Sequence, residues 1–223
     1  MRFVSGDAFF WLTFFSKKKG DKKSYTNKIW VRIFYLHNFC YNATMKKIAV
    51  LFSGKGTNFA HLADTFQGQI ALAVTNNPNA LGIEVAKAHN IPLDIIDSTN
   101  FESRESFDEV LVQTIKKANA DLVVLAGFMR ILTPIFTDNV KAINLHPSLL
   151  PRHKGVDAIR RSFDDEYFEG GVSVHWVSSE LDGGEIILQR SIAKAGLDFE
   201  SYDNTIRALE KEILSDAIRI ILS

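Results

Sequence analysis

The feature that most constrains the fold is a regular alternation, from Met45 onward, of short apolar runs with longer amphipathic stretches. This alternation is typical of βαβ units around a mostly parallel sheet. The sequence predicts strands near 47–53, 70–76, 92–97, 121–127, 142–146, 172–178 and 184–192. It predicts helices near 57–66, 81–90, 103–119, 155–164 and 201–221, a further helix start at Thr133-Pro134, and a capping box at Ser106 and Glu109. We therefore expect one α/β domain with a doubly wound, mostly parallel sheet flanked by helices.

The size and composition of the chain agree with this expectation and exclude several classes of protein. Its 223 residues suffice for one α/β domain with a substantial core. Hydrophobic residues make up 46% and charged residues 23%, which excludes a disordered chain, and no apolar run reaches the roughly 18 residues of a membrane span. The 26 basic residues balance 26 acidic ones, so nothing indicates a nucleic acid partner. We expect a cytoplasmic monomer or homodimer that acts on small molecules and not at a membrane.

Residues 1–44 differ in composition from the rest of the chain. They contain eight basic and two acidic residues and 12 of the 25 aromatic residues, without a sustained helical or strand period. Three interpretations are open: a secretory signal, a membrane-surface or targeting segment, and an upstream extension from a misassigned start codon. We expect the last, with residues 1–44 outside the fold and 45–223 forming the catalytic domain. Cys40, the only cysteine, lies in this stretch, which excludes disulfides and a cysteine nucleophile from the domain.

Three loops at the expected carboxyl ends of strands carry the candidate chemistry, because the ligand crevice of an open α/β sheet forms there. The first loop, residues 53–58, follows the first strand and opens a helix. Its glycines, Gly54 and Gly56, let backbone N–H groups approach an anion such as a phosphate. It is not a dinucleotide fingerprint, because Phe59 stands where the third glycine would be. A tight turn without a ligand is the alternative.

The second and third loops supply polar groups that suit acyl transfer. Asn144 and His146 lie two residues apart on a strand and so share a face, where an amide and an imidazole can stabilise an oxyanion and carry a proton. Asp182, in a glycine-rich loop, is the carboxylate that could orient His146; an Asx-turn cap is the alternative. No metal-ligand spacing is present, so we expect no metal. Three further histidines are interpreted as structural or surface residues: His175, His153 and His61.

Four motifs in this order and at this spacing resemble the phosphoribosylglycinamide formyltransferase family: residues 54–58, 125–132, 144–151 and 181–184. The resemblance extends from about Met45 to Ser223 and leaves residues 1–44 uncovered. It implies the single-domain, Rossmann-like formyltransferase fold. It also implies transfer of a formyl group from 10-formyltetrahydrofolate to the amine of glycinamide ribonucleotide in purine biosynthesis.

The resemblance also assigns roles to individual residues. It makes Asn144, His146 and Asp182 the catalytic residues. It assigns the ribonucleotide to Gly56, Thr57, Asn58 and Glu212, and the folate to Arg104, Met129, Arg130, Ile131, Leu132 and Asn144. Two departures stand out: residues 152–157 lack the aromatic residue that the family often carries before the glycine, and Leu209 replaces a polar residue of some relatives.

Other functions remain open for this set of catalytic residues. Methionyl-tRNA formyltransferase would need a second, basic domain and usually an Arg-Gly-Ala-Ala-Pro stretch, and neither is found in the sequence. The hydrolase that deformylates the same folate usually has a second histidine where Pro147 stands. A catalytically idle phosphate-binding module is the remaining alternative, and the intact trio argues against it. The loop at 54–58 favours a ribonucleotide acceptor.

Overall fold

Seven strands form one sheet in the part of the chain that the structure, a computed structural model, describes, residues 45–223. The strands are β1 (Ile48–Phe52), β2 (Ile70–Thr75), β3 (Leu93–Ile95), β4 (Leu122–Leu125), β5 (Ala142–His146), β6 (Glu169–Trp176) and β7 (Ile186–Ala193). The helices are α1 (Thr57–Thr65), α2 (Gly82–Ala88), α3 (Arg104–Lys117), α4 (Pro134–Thr137), α5 (Ala158–Asp164) and α6 (Phe199–Leu222). The interpretation of residues 1–44 as an extension lies outside the described residues.

The order of the strands creates a crevice near the middle of the sheet. The order is β3-β2-β1-β4-β5-β6-β7; the first five strands along the chain pair in parallel, and β6 and β7 join antiparallel. The chain moves from β1 to one edge of the sheet and then returns to place β4 on the other side of β1. Ligands of open α/β sheets bind at such a reversal, outside the carboxyl ends of the strands. The doubly wound, mostly parallel sheet predicted from the sequence is confirmed.

Two apolar layers cover the sheet, which explains the continuous apolar runs of the central strands. All five residues of β1 are fully buried, and alternate ones face opposite layers. Val50 belongs to the layer that contains α1 and α6, whereas Leu51 belongs to the layer that contains α3 and α4. Within residues 45–223, none of the helices has both the length and the apolar character needed to cross a bilayer.

The helix boundaries correct two details of the sequence prediction. The capping box of α3 lies three residues earlier than predicted: the Ser106 backbone N–H donates to the Ser103 hydroxyl at 3.0 Å, and the Ser103 N–H donates to the Ser106 hydroxyl at 3.4 Å. Helix α5 begins at Ala158 and not near 155, because residues 152–157 form a separate loop. That loop lies beside the crevice.

Candidate active site

A cleft of about 2150 Å³ opens at the carboxyl ends of β1, β4 and β5. Loops after these strands line it together with residues 154–161, residues 177–182 and one face of α6. A single small ligand needs roughly 300–1000 Å³, so the cleft has room for two substrates side by side.

The loop after β1 forms one end of the cleft and presents the start of α1. Gly56 has φ 73, and a Cβ added there would lie 2.6 Å from the Cα of Gly82, so only glycine fits. No side chain caps the N-terminus of α1, which leaves its first N–H groups free to bind an anion. Thr57 and Asn58, the next two residues, also line the cleft.

Glu210 of α6 faces this loop. The Asn58 side-chain amide donates to its carboxylate at 3.4 Å, and Glu210 is only 8% exposed. Burial raises the pKa of Glu210, although the amide of Asn58 and the charge of Arg207 oppose the rise. The Oδ1 atom of Asn58 is buried without a hydrogen-bond partner among the described residues. A buried polar atom of this kind fits a site that a polar ligand completes.

Glu212, predicted to contact the ribonucleotide, lies elsewhere. Its side chain is 67% exposed, its carboxylate lies 3.7 Å from the guanidinium of Arg190, and it does not line the cleft. Residues two apart on a helix point in different directions, so a shift of two positions moves a side chain off the binding face. Of these two glutamates only Glu210 lines the cleft, so the position of Glu212 does not support its predicted contact with the ribonucleotide.

The loop between β4 and α4 forms the other side of the cleft. The backbone N–H of Met129 donates to the Ser53 hydroxyl at 2.7 Å, and the Thr133 N–H donates to the buried carboxylate of Asp108 at 2.6 Å. Between these anchors Met129 is 78% and Ile131 52% exposed, although both are large and apolar. Arg130 and Leu132 line the cleft with them. Exposed apolar side chains along a cleft suit a flat, largely apolar ligand.

Arg104, predicted to contact the folate, does not line the cleft. It is exposed in the first turn of α3. The preceding segment reaches the cleft instead, through Asp97, Ser98 and Thr99. The prediction of a folate contact from Arg104 is not supported by its position, because the chain turns away from the cleft before α3 begins.

Asn144, His146 and Asp182 lie together at the centre of the cleft. The Asn144 amide nitrogen donates to Oδ1 of Asp182 at 3.2 Å, and Nδ1 of His146 lies 3.4 Å from Oδ2 of the same carboxylate. His146 is 5% and Asp182 9% exposed. The structure thus brings together the three residues that the sequence singled out from two separate loops.

His175 is a fourth polar residue at this centre, although the sequence predicts a structural histidine at this position. It lies opposite Asn144 in the antiparallel pairing of β5 with β6. Its Nδ1 lies 2.8 Å from the Trp176 carbonyl oxygen, to which only a protonated Nδ1 can donate, so Nε2 is free to accept from Asn144 at 3.2 Å. The sequence carried no local signal for this contact, because cross-strand register is a tertiary property.

Burial and hydrogen bonds set the charges of these groups. Burial alone would raise the pKa of Asp182, but the contact with His175, a hydrogen bond from the Gly155 N–H and the charge of His146 lower it to about 2. Burial lowers the pKa of His146, while Asp182 and the His153 carbonyl oxygen act in the opposite direction. At neutral pH Asp182 is therefore a carboxylate beside an imidazole that can gain and lose a proton.

This arrangement suits proton transfer next to a developing oxyanion. A carboxylate, an imidazole and an amide surround one point in a cleft whose ends suit an anion and a flat apolar ligand. Within residues 45–223, no group of three or more histidine, cysteine, aspartate or glutamate side chains is placed to hold a metal ion.

Comparisons with known proteins agree with this geometry. The formyl transferase family profile matches residues 46–218. Phosphoribosylglycinamide formyltransferase of Haemophilus influenzae is 39% identical over 155 residues, which cover 66% of this chain and 73% of the relative. The Escherichia coli enzyme of the same name is 37% identical over 172 residues, 74% of this chain and 81% of that one. The crystal structure of phosphoribosylglycinamide formyltransferase from Campylobacter jejuni superimposes with a TM-score of 0.79 at 48% identity, covering 82% of this chain and all of that chain. The chain belongs to the formyl transferase family.

Proposed function

We propose that this chain transfers the formyl group of 10-formyltetrahydrofolate to the amine of glycinamide ribonucleotide, giving the N-formyl product and tetrahydrofolate. The observation that carries the proposal is that Asn144, His146 and Asp182 meet in one cleft, between an anion-binding loop and an apolar wall. The names of the relatives point to the same acceptor.

In this proposal the acceptor, glycinamide ribonucleotide, binds at the α1 end of the cleft. Gly56 and Thr57 present backbone N–H groups to the phosphate, where the helix dipole favours negative charge. Asn58 and Glu210 offer polar groups to the ribose, with Glu210 in the role that the resemblance assigns to Glu212. This position directs the amine of the acceptor toward the catalytic residues.

In this proposal the formyl donor binds along the wall formed by residues 129–132. The backbone of this segment can hydrogen-bond the edge of the pteridine ring, while Met129 and Ile131 contact its apolar face. The anchors at Ser53 and Asp108 hold the segment in place. N10 and its formyl group then face Asn144 and His146.

The reaction needs one bond formed, one bond broken and one proton moved. The amine nitrogen attacks the formyl carbon, and the carbonyl oxygen becomes an oxyanion that Asn144 stabilises by donating a hydrogen bond and that protonated His146 stabilises through its positive charge. The amine loses a proton and N10 gains one as the bond between the formyl carbon and N10 breaks. Asp182, ionised because its pKa is about 2, stabilises the protonated imidazole and helps to move this proton through water.

Asn144 must exchange a hydrogen bond to take part. Both hydrogens of its amide nitrogen are directed at acceptors, Oδ1 of Asp182 and Nε2 of His175, each at 3.2 Å. Donation to an oxyanion therefore replaces one of these contacts. Since both are long for hydrogen bonds, the exchange costs little.

A steady-state assay tests the proposal. With both substrates, the full chain should release tetrahydrofolate only when glycinamide ribonucleotide is present. His146→Ala should lower kcat by about 100-fold or more, the usual contribution of a general acid–base group. His89→Ala is the matched control, because that histidine pairs with Asp64 and does not line the cleft. Release without acceptor would indicate a hydrolase, and unchanged turnover in His146→Ala would refute the assignment.

We also propose that residues 45–223 suffice for this activity. The layers of the sheet, the cleft and all of the catalytic residues lie within that range. A shortened chain that begins at Met45 should be recovered folded and should retain the kcat of the full chain. Loss of folded protein on shortening would show that residues 1–44 contribute to the structure.

A further inference from the structure

The loop of residues 152–157 departs from the family pattern, yet it touches the catalytic residues directly. The carbonyl oxygen of His153 lies 2.9 Å from Nε2 of His146. Two residues later, the Gly155 N–H donates to Oδ2 of Asp182 at 2.8 Å. The backbone of this loop therefore completes the surroundings of both groups, and its conformation decides where the His153 carbonyl points.

The backbone of His153 adopts a conformation that its residue type disfavours. Its φ is 56°, in the left-handed region, where the Cβ atom of any residue other than glycine is crowded. Such a conformation persists when surrounding contacts hold it in place. A contact made by the His153 side chain itself can therefore hold this backbone conformation.

The His153 ring is held by a partly buried carboxylate. Nε2 of His153 lies 2.6 Å from Oδ2 of Asp165, at the end of α5, and their side chains are 19% and 11% exposed. Asp165 is fixed in turn by Lys194, directly after β7, whose ammonium lies 2.5 Å from Oδ1. The guanidinium of Arg152 lies 3.9 Å from the same carboxylate. The ring is thus tied to the ends of α5 and β7.

The other charged and titratable groups near His146 come from three elements. Asp182 faces Nδ1 from the loop after β6, and His175 lies nearby on β6. Arg161 of α5 donates to the same His153 carbonyl at 3.0 Å and to the Lys154 carbonyl at 2.5 Å. Arg161 thus supports the loop and shares the His153 carbonyl oxygen with His146, since a carbonyl oxygen has two lone pairs.

We propose that His153 is a positioning residue for His146: its ring, held by Asp165, fixes the backbone so that the His153 carbonyl oxygen accepts a hydrogen bond from Nε2 of His146. With Nε2–H occupied in this way, the ring is oriented with Nδ1 toward Asp182. The proposal rests on the catalytic role proposed above for His146, but the contact itself can be measured without turnover.

The test follows the titration of His146 by NMR in the full chain labelled at its histidine rings. The His146 signal is assigned by its loss in His146→Asn. Because a carbonyl acceptor favours the protonated ring, His153→Leu should lower the titration midpoint of His146 by about half a pH unit or more. His153→Gln, which places an amide N–H near the former Nε2, should restore most of the wild-type midpoint.

The same variants are assayed for kcat against pH. The acid limb of the profile should move down in pH for His153→Leu and return for His153→Gln. His89→Leu is the matched control, since it removes a histidine from another histidine–aspartate pair, and it should change neither readout. A loop that only supports the fold would change stability without moving these midpoints.

The outcomes separate the inference from the proposed function. An unchanged His146 midpoint in folded His153→Leu would overturn the inference even if the enzyme is a formyltransferase. A glutamine variant that behaves like the leucine variant would overturn the role of the hydrogen bond to Asp165. If His153→Leu does not fold, Asp165→Asn weakens the contact between His153 and Asp165 from the other side. An unchanged His146 titration midpoint in Asp165→Asn would then overturn the inference.

Discussion

Nδ1 of His146 lies 3.4 Å from Oδ2 of Asp182, and both side chains are almost fully buried. The two groups come from β5 and from the loop after β6, so the sheet itself sets their distance. A buried carboxylate with a pKa of about 2 stays charged at every pH at which the imidazole titrates. This pair is the electrostatic centre of the cleft.

Removing the charge of Asp182 should lower both the rate and the basicity of His146. Asp182→Asn keeps the shape of the side chain but removes the opposing charge, so kcat should fall by about 100-fold or more. The pKa of His146 should fall further below its ordinary value, since burial would then be less strongly opposed. Steady-state kinetics and NMR titration measure the two effects.

The control for this variant is Asp164→Asn, which alters an exposed pair with Arg160. It should leave both kcat and the His146 titration unchanged. A near wild-type kcat in Asp182→Asn would contradict the role given to Asp182.

Glu210 and Glu212 form a matched pair of variants on one helix. Glu210→Gln should raise KM for glycinamide ribonucleotide about tenfold with little change in kcat, the effect of losing a charge-assisted hydrogen bond to the substrate. Glu212→Gln should change KM less than twofold, because that side chain points away from the cleft. A tenfold rise in KM for Glu212→Gln, with little change for Glu210→Gln, would instead support a substrate contact from Glu212.

Glu210 should also reduce the stability of the free protein at neutral pH. Its pKa is raised in the folded state, chiefly by burial, so its contribution to stability is present below pH 4.5 and is lost as pH rises through the folded value. Glu210→Gln should therefore unfold at a higher temperature than wild type at pH 7.5, and the difference should vanish near pH 4. Differential scanning calorimetry of both proteins at pH values from about 4 to 7.5 measures the difference in unfolding temperature. A Glu210→Gln protein less stable than wild type at pH 7.5 would mean that the buried carboxylate is stabilised by contacts beyond Asn58 and Arg207.

Gly56 should tolerate no side chain, and Gly68 offers the comparison. Both have left-handed φ angles, 73° and 76°, but a Cβ at Gly68 meets nothing within 4 Å. Gly68→Ala should cost only the backbone strain, about 1 kcal/mol of the free energy of unfolding. Gly56→Ala adds a collision with Gly82, so it should cost more and also raise KM for the acceptor.

Urea unfolding of the two glycine variants measures the difference, and acceptor kinetics measure the local effect. Equal destabilisation with an unchanged acceptor KM would show that the loop after β1 can shift without affecting substrate binding.

Several features followed from the sequence because they depend on neighbouring residues. The apolar runs of β1 and β4 predicted buried parallel strands, since both faces of these strands are covered. Asn144 and His146 were placed on one face by the two-residue period of a strand. Gly56 indicated the anion-binding loop through its position between a strand and a helix.

Other features required the tertiary structure because they depend on register and rotation. The contact of Asn144 with His175 comes from the alignment of two antiparallel strands, and local sequence does not specify that alignment. The choice of Glu210 over Glu212 depends on how α6 is rotated against the sheet. The ring of His153 reaches Asp165 only because the chain turns back after β5.

The sequence by itself therefore determined the fold class, the family and the three central polar residues, since periodicity and motif spacing are written along the chain. Only the tertiary structure decided which glutamate faces the cleft, which histidine supports Asn144 and which loop carbonyl meets His146. Those contacts join residues distant in sequence, and their geometry is set by packing between elements rather than within them.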